Sequence, residues 1–198
     1  MPAMRVLILS GSSRPGSYNG RLATLAHGLA EAAGATATRL DLRALALPVY
    51  DAEIEAAGFP AGALALRDTV AAHDALVVAT PEYNGFPTPL LINSFDWLSR
   101  VTAADGRPAG LVVLAGKPVG VMSASPGPFG GMRSLMFTRQ FFHNVLGMLV
   151  LPEQLALSQA MNAFDEAGAL RDDKHLQSVK RVVSAVVRVG SALRTVSA

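Results

Sequence analysis

Between an apolar run, Val6-Leu7-Ile8-Leu9, and an alanine- and leucine-rich run from Leu22 to Ala33 stands the stretch Ser10-Gly11-Ser12-Ser13-Arg14-Pro15-Gly16-Ser17-Tyr18-Asn19-Gly20. A buried strand feeding a hydroxyl-rich loop, and a loop feeding a helix, restrict the chain to α/β architectures. The same layout builds an anion site. A helix N-terminus offers unpaired backbone N–H groups and a partial positive charge. Gly11 and Gly16 let the backbone approach a ligand. Ser12, Ser17 and Asn19 add side-chain donors, and Arg14 adds a planar cation. The stretch reads as a phosphate cradle. The competing reading is an ordinary turn with Ser17 or Asn19 as N-cap. The order is neither G-x-x-x-x-G-K-[ST] nor G-x-G-x-x-G. So many hydroxyls suit one terminal dianion better than a bridging pyrophosphate, which favours a mononucleotide.

Strand-like and helix-like segments alternate along the rest of the chain. Val6 to Ser10 is the first strand and Gly20 to Ala33 the first helix, ended by Gly34. Thr36 to Asp41 reads as a second strand, and Leu45 to Asp51, with its proline, as a loop. Ala61 to Ala72 is a second helix. Ala75 to Thr80 is almost uninterruptedly apolar, as a central parallel strand covered on both faces must be. Pro89 to Arg100 is a third helix with Pro89 in its first turn. Val119 to Ser123 is a fourth strand, Met132 to Leu146 a fourth helix and Met148 to Leu151 a short fifth strand. Lys174 to Leu193 closes the chain with Leu176, Val179, Val183, Val186 and Leu193 on one stripe. Gly190 either lets that helix approach the sheet or weakens its last turn. Leu111-Val112-Val113-Leu114, within Thr102 to Gly116, is an extra strand or the tail of a helix. The expected fold is a five-stranded parallel sheet with helices on both faces, in one domain over residues 1–198.

Composition narrows the chemistry. At 198 residues, 51% apolar and 16% charged, the chain has a globular composition. Its net charge is +2, with no basic run interleaved with aromatics, so nucleic acid is not an expected partner. There is no cysteine, which removes thiolate, disulfide and cysteine–metal chemistry. His27, His73, His143 and His175 fit no metal spacing. No signal peptide is visible and no apolar run reaches membrane-spanning length, so a cytoplasmic location and no membrane partner are expected.

In doubly wound sheets, ligands lie beyond the carboxyl ends of the strands at the switch point. The cradle should therefore share a site with Thr80-Pro81-Glu82-Tyr83-Asn84-Gly85-Phe86-Pro87 and with Ser123-Ala124-Ser125-Pro126-Gly127-Pro128-Phe129-Gly130-Gly131. The second loop suits a flat heteroaromatic ring. Its backbone N–H groups can donate to ring nitrogens and carbonyls, Tyr83 can pack, and Asn84 can donate or accept. Glu82 can orient the loop or accept from the ligand. The third loop reads as a stiff wall. A plain turn over the sheet is the competing reading for each. There is no G-x-S-x-G elbow and no carboxylate pair in these loops, so a cofactor is expected to carry the chemistry. A mononucleotide with a planar redox ring is FMN.

These motifs resemble the NAD(P)H-dependent FMN reductases of the flavodoxin-like fold, including the quinone- and chromate-reducing branch. The resemblance covers roughly Met4 to Pro152. Gly11 to Asn19 is similar to the family's G-S-x-R-x-x-S-x-N phosphate loop. Thr80 to Gly85, followed by Leu91, Asn93, Asp96-Trp97 and Ser99-Arg100, resembles its P-E-Y-N loop and D-W helix. Gly116-Lys117-Pro118-Val119, Ser123-Ala124-Ser125 and Gly130-Gly131-x-Arg133 are similar to its G-K-P strand and third flavin loop. The resemblance implies a three-layer sandwich with strand order 2-1-3-4-5. It implies that Ser12, Arg14, Ser17, Asn19 and Gly20 hold the FMN phosphate. Pro81, Glu82, Tyr83, Asn84 and Gly85 would line the isoalloxazine edge, and Ser123, Ser125 and Gly127 the opposite wall. It further implies hydride transfer from NADPH or NADH through FMN to a small acceptor such as a quinone, with no protein residue acting as catalyst. The chain departs from the family pattern at Phe86, where a serine is usual, and at Ile92, where a lysine is usual. A flavodoxin-like electron carrier, a redox-sensing module without turnover and an unrelated nucleotide-binding protein are the alternatives. Phe141 and Phe142 cannot both face the centre of one helical core stripe, so one of them is expected at an interface; the resemblance implies a homodimer or homotetramer.

Overall fold

The structure, a computed structural model, describes residues 3–196. Its elements alternate as the apolar runs require. Strand β1 (Arg5–Ser10) is followed by α1 (Tyr18–Ala32) and β2 (Thr36–Asp41). Helices α2 (Ala52–Ala57) and α3 (Ala61–Ala71) lead to β3 (Ala75–Ala79). Helices α4 (Pro89–Arg100) and α5 (Gly110–Leu114) lead to β4 (Pro118–Ala124). Then come α6 (Met132–Gln140), β5 (Leu149–Leu157), α7 (Ala160–Ala163) and α8 (Asp173–Val196). All strands pair in parallel in the order β2-β1-β3-β4-β5. This is the flavodoxin-like order, with the switch point between β1 and β3.

The period of two along each strand divides the core into two layers. Val6 and Ile8 of β1 and Val77 of β3 point to one face, where Leu22, Ala26 and Ala30 of α1 and Val179, Val183 and Val186 of α8 cover them. Leu7, Leu9, Leu76 and Val78 point to the other, under α3, α4, α5 and α6 through Leu66, Leu91, Phe95, Val113 and Leu135. Every residue of β3 is buried, which is why its sequence shows no polar alternation. Among the described residues no helix is long and apolar enough to cross a membrane.

Four details differ from or resolve the expectations. First, β5 is longer than expected and runs through Pro152. A register shift opposite Val119 and Val121 takes up the extra residues, and β5 is an edge strand, so the missing proline N–H costs little. Second, Leu111 to Leu114 is helical: Val113 and Leu114 are buried while Leu111 and Val112 are exposed. Third, the fourth helix ends its α geometry at Gln140 and widens into a π-turn over Phe141–Val145. In that wider turn Phe142 and Phe141 both lie against Phe95, with ring centroids 5.0 Å and 6.5 Å away, so neither has to leave the core edge. Fourth, Gly190 is a close approach, because a Cβ there would run into the Met4 side chain.

A third, smaller cluster holds the segment around α2, from Leu47 to Phe59, against α3 and α4. Trp97 packs on Val101 and Ala63, and its Nε1 donates to Pro48 O at 2.8 Å. Asn93 Nδ2 donates to the same carbonyl, and Tyr50 N donates back to Asn93 Oδ1, each at 2.8 Å.

Candidate functional site

The three loops expected to share a site do meet, beyond the carboxyl ends of β1, β3 and β4, and polar side chains stitch them together. Asn19 joins the first loop to the third. Its Nδ2 donates to Ala124 O and its Oδ1 accepts from Ala124 N, both at 2.9 Å, with the side chain buried. Thr88 joins the second to the first: Oγ1 donates to Gly11 O at 2.6 Å and accepts from Leu91 N, capping α4. Glu82 joins the second to the third. Its Oε1 accepts from Arg133 Nε at 2.9 Å and from Arg133 Nη2, and its Oε2 accepts from Ser134 N at 3.2 Å. Ser134 Oγ donates to Pro81 O. Glu82 thus occupies the positive end of α6, where a carboxylate is favoured.

Several expected ligand groups therefore do other work. The Asn19 amide bridges loops, and what it leaves for a ligand is its backbone N–H. Glu82 holds α6 against the second loop. Ser17, not Asn19, is the N-cap of α1, accepting from Gly20 N at 3.0 Å. Ser17 is buried and keeps its hydroxyl proton for donation outward. The N–H groups of Tyr18 and Asn19, in the first turn of α1, have no intrahelical acceptor. Arg14 lies with its guanidinium 5.6 Å from the centroid of the Tyr18 ring and pairs with no carboxylate among the described residues.

A cavity of about 160 Å³ opens between the loops. Ser12, Arg14, Ser17, Tyr18 and Asn19 form one side, Pro81, Glu82 and Tyr83 the second, and Ala124, Ser125 and Pro126 the third. The remaining expected residues frame it. Asn84 and Gly85, at φ 52° and 88°, form a two-residue turn closed by paired hydrogen bonds between Tyr83 and Phe86. That turn presents Tyr83, 48% exposed, and Phe86, 56% exposed, at the rim. Phe86 stacks on Phe137 with centroids 4.4 Å apart. Gly127 N donates to Ser125 Oγ at 3.2 Å. Ser123 is fully buried, its Oγ has no partner, and Gly131, with φ 85°, packs so closely that any Cβ would overlap that hydroxyl. Thr88 and Ser134, which sequence reasoning did not single out, do as much to build the site as the residues it named. Thr88 carries a legible signal, a threonine directly before Pro89 at a helix start.

The residues present fit a phosphate joined to a flat ring. Two open N–H groups at the end of a 15-residue helix, two serine hydroxyls and an unpaired guanidinium converge with no free carboxylate among them. The cavity is smaller than the roughly 300 Å³ at which enclosed ligand pockets begin, so a ring would lie on an open shelf beside Tyr83.

Comparison with known proteins agrees with this geometry. A profile of the family described as NADPH-dependent FMN reductase matches residues 4–162. The chain is 33% identical over 183 residues to an NAD(P)H-dependent FMN reductase of Pseudomonas aeruginosa, covering 92% of this chain and 93% of that one. It is 37% identical over 142 residues to a quinone reductase of Escherichia coli, covering 69% and 68%. Among solved structures, the flavoenzyme NAD(P)H:(acceptor) oxidoreductase FerB of Paracoccus denitrificans superposes with a TM-score of 0.79 at 25% identity, covering 96% of this chain and 98% of that one.

Proposed function

The chain belongs to the NADPH-dependent FMN reductase family, and on that premise we propose that it passes two electrons from NAD(P)H through FMN to a quinone or a similar small acceptor. The observation that carries this reading is the convergence of the anion-ready start of α1 with the Pro81–Gly85 turn around one cavity. Bound FMN supplies the two-electron chemistry, and the chain supplies position and charge.

Ser12, Arg14, Ser17 and Asn19, the last through its backbone N–H, hold the phosphate. Gly20 N fixes the Ser17 hydroxyl so that its proton points outward. Pro81, Tyr83, Asn84 and Gly85 form the edge against which the ring lies. Ser125, with Gly127 fixing its hydroxyl, and the buried Ser123 form the opposite wall. The Asn19–Ala124 pair and the Glu82–Arg133 pair keep cradle and ring edge at a constant distance, so little reorganisation is needed when substrate arrives. Backbone N–H groups of the second loop stabilise negative charge at the ring edge. The exposed Phe86–Phe137 pair favours planar aromatic acceptors at the rim.

The reading includes a cytoplasmic protein of one domain over residues 1–198 that forms a homodimer or homotetramer. Exposed Phe86, Phe129, Met132, Met136 and Phe137 around the rim support oligomerisation, since so much apolar surface in one region is characteristic of interfaces. A monomeric mass by light scattering at micromolar concentration would count against it.

The test of the activity is an absorption spectrum of protein reconstituted with FMN, before and after NADPH under argon. Flavin bands that bleach, and return on addition of a quinone, are the expected result. Bands that persist with both NADPH and NADH would make the chain a carrier or a sensor.

A further inference from the structure

The opposite end of the sheet holds a cavity that the flavin site does not use. It measures about 370 Å³ and lies at the amino ends of β3 and β4. Pro108, with Val112 and Val113 of α5, forms an apolar wall, and Asp74, Lys117 and Arg194 are the charged groups that line the cavity. Strand β4 has seven residues, so at about 3.3 Å per residue Lys117 stands roughly 20 Å from the loop that follows the strand.

The backbone fixes Lys117 in place. Its N–H donates to Leu114 O and its carbonyl accepts from Leu149 N, both at 3.0 Å. The side chain is half-buried, and Nζ donates to His73 O, a carbonyl just beyond the end of α3. The other two lysines of the chain, Lys174 and Lys180, are exposed on α8.

The charges around this amine do not pair with it. Asp74 is the one carboxylate lining the cavity, and it is already engaged: Oδ2 accepts from Arg5 N at 2.7 Å and lies 3.5 Å from Arg194 Nη1. His73 is buried, with Nδ1 2.7 Å from Thr69 O. Among the described residues Lys117 makes no ion pair. Its ammonium form has lost part of its hydration without gaining a carboxylate. Burial therefore lowers the Lys117 pKa, with Asp74 working against this and Arg5 adding to it.

A desolvated lysine beside an apolar wall is an activated nucleophile, because only the free amine carries a lone pair. The free amine can keep the His73 hydrogen bond while that lone pair stays available. The cavity also offers both halves of a recognition site. Arg194 has further N–H donors for an anion, and Val112 and Val113 offer contact to a short acyl chain.

We propose that Lys117 is a covalent modification site for small acyl phosphates, its amine attacking the acyl carbon while Arg194 holds the phosphate and the Val112–Val113 wall the acyl chain. The N–C bond forms, the acyl C–O bond to phosphate breaks, inorganic phosphate leaves with that electron pair, and the proton lost from nitrogen passes to solvent. The product amide keeps its single N–H for His73 O and no longer places a charge in a partly buried position. The site does not depend on the oxidoreductase reading.

Trace acetylation of the full FMN-loaded chain, read peptide by peptide by mass spectrometry over a pH series, tests this. The probes are acetyl phosphate and the uncharged acetic anhydride, each at limiting concentration. The expected result is faster labelling of Lys117 than of Lys174 or Lys180 with both probes, with the Lys117 rate reaching its plateau at lower pH. In urea the three lysines should label equally, because the difference belongs to the fold. Asp74→Asn keeps an acceptor for Arg5 N and removes the charge that favours the ammonium, so it should shift the Lys117 profile to still lower pH. Arg194→Gln should lower the ratio of acetyl phosphate to acetic anhydride labelling at Lys117 about tenfold, the worth of one charge-assisted contact, and leave that ratio at Lys174 unchanged. Taking the ratio removes any change in the amine itself. Slower labelling of Lys117 than of the exposed lysines with both probes would overturn the proposal, since the amine would then be shielded rather than activated. A ratio that Arg194→Gln leaves unaltered would overturn the assignment to acyl phosphates.

Discussion

At the scale of single residues, the site depends on side chains that touch one another more than on those that face the cavity. Asn19 satisfies both backbone groups of Ala124 in a buried position. Asn19→Ala leaves that N–H and that C=O unpaired, which costs about 1–3 kcal/mol for each buried group that water cannot reach. The expected outcome is a lower midpoint in urea together with weaker FMN retention. Unchanged stability would mean water replaces the amide. Ser123 is the opposite case. Its buried hydroxyl has no partner, so Ser123→Ala should leave stability unchanged or slightly raised. If the same variant also binds FMN unchanged in fluorescence titration, Ser123 is not part of the ring wall. Gly131→Ala should be poorly tolerated, because the added methyl meets Ser123 Oγ at a positive φ.

At the scale of elements, the caps carry the connection between loop and helix. Thr88 caps α4 and also ties its start to Gly11. Thr88→Ala should cost about 1–2 kcal/mol from the cap alone. Thr88→Ser keeps the hydroxyl and should restore most of the loss, which a purely steric role for the threonine methyl would not allow. Helix α4 also holds Asp96, whose carboxyl is pushed up by burial. A carboxylate with a raised pKa in the folded state costs stability once pH exceeds its ordinary value near 3.8, because the unfolded chain ionises it more easily. Asp96→Asn should therefore raise the melting temperature at pH 7 and lose that advantage in acid. An equal shift at both pH values would show that charge is not the cause.

At the scale of the whole molecule, the segment from Leu47 to Phe59 is held to the sheet layers by the Trp97 cluster and by one polar triad. Tyr50 Oη donates to Glu55 Oε2 at 2.6 Å, and Arg100 Nε donates to the same carboxylate at 3.0 Å. The hydrogen bond from Tyr50, and then that from Arg100, hold the Glu55 carboxyl below its ordinary value. A depressed carboxylate stabilises the fold above its unfolded pKa and stops doing so as pH falls through the folded one. Acid unfolding of the native chain should thus include a contribution from Glu55 below about pH 4.5, and Glu55→Gln should lower stability at pH 7 but flatten the acid limb. An unaltered acid limb would mean other carboxylates carry the transition.

Much of this molecule was determined by residue order alone. Val6 to Leu9 and Ala75 to Ala79 are apolar at every position because each is covered on both faces, and that pattern is visible before any folding. The strand order was legible through the family resemblance, and the loop-to-helix start of α1 through local sequence. What tertiary structure decided was which polar groups are already spent. Asn19 and Ala124 lie 105 positions apart, Glu82 and Ser134 lie 52 apart, and no local pattern says that they bond. The same holds for the longer β5, whose proline is tolerable only because β5 is an edge strand, and for Phe141 and Phe142, whose shared core contact needed a π-turn. Asp74, Lys117 and Arg194 are scattered in sequence and line one cavity only when β3 pairs with β4 and α8 packs on both. Hydrogen-bond partners and electrostatic fields are set by distance in space, and that distance exists only once the sheet has formed.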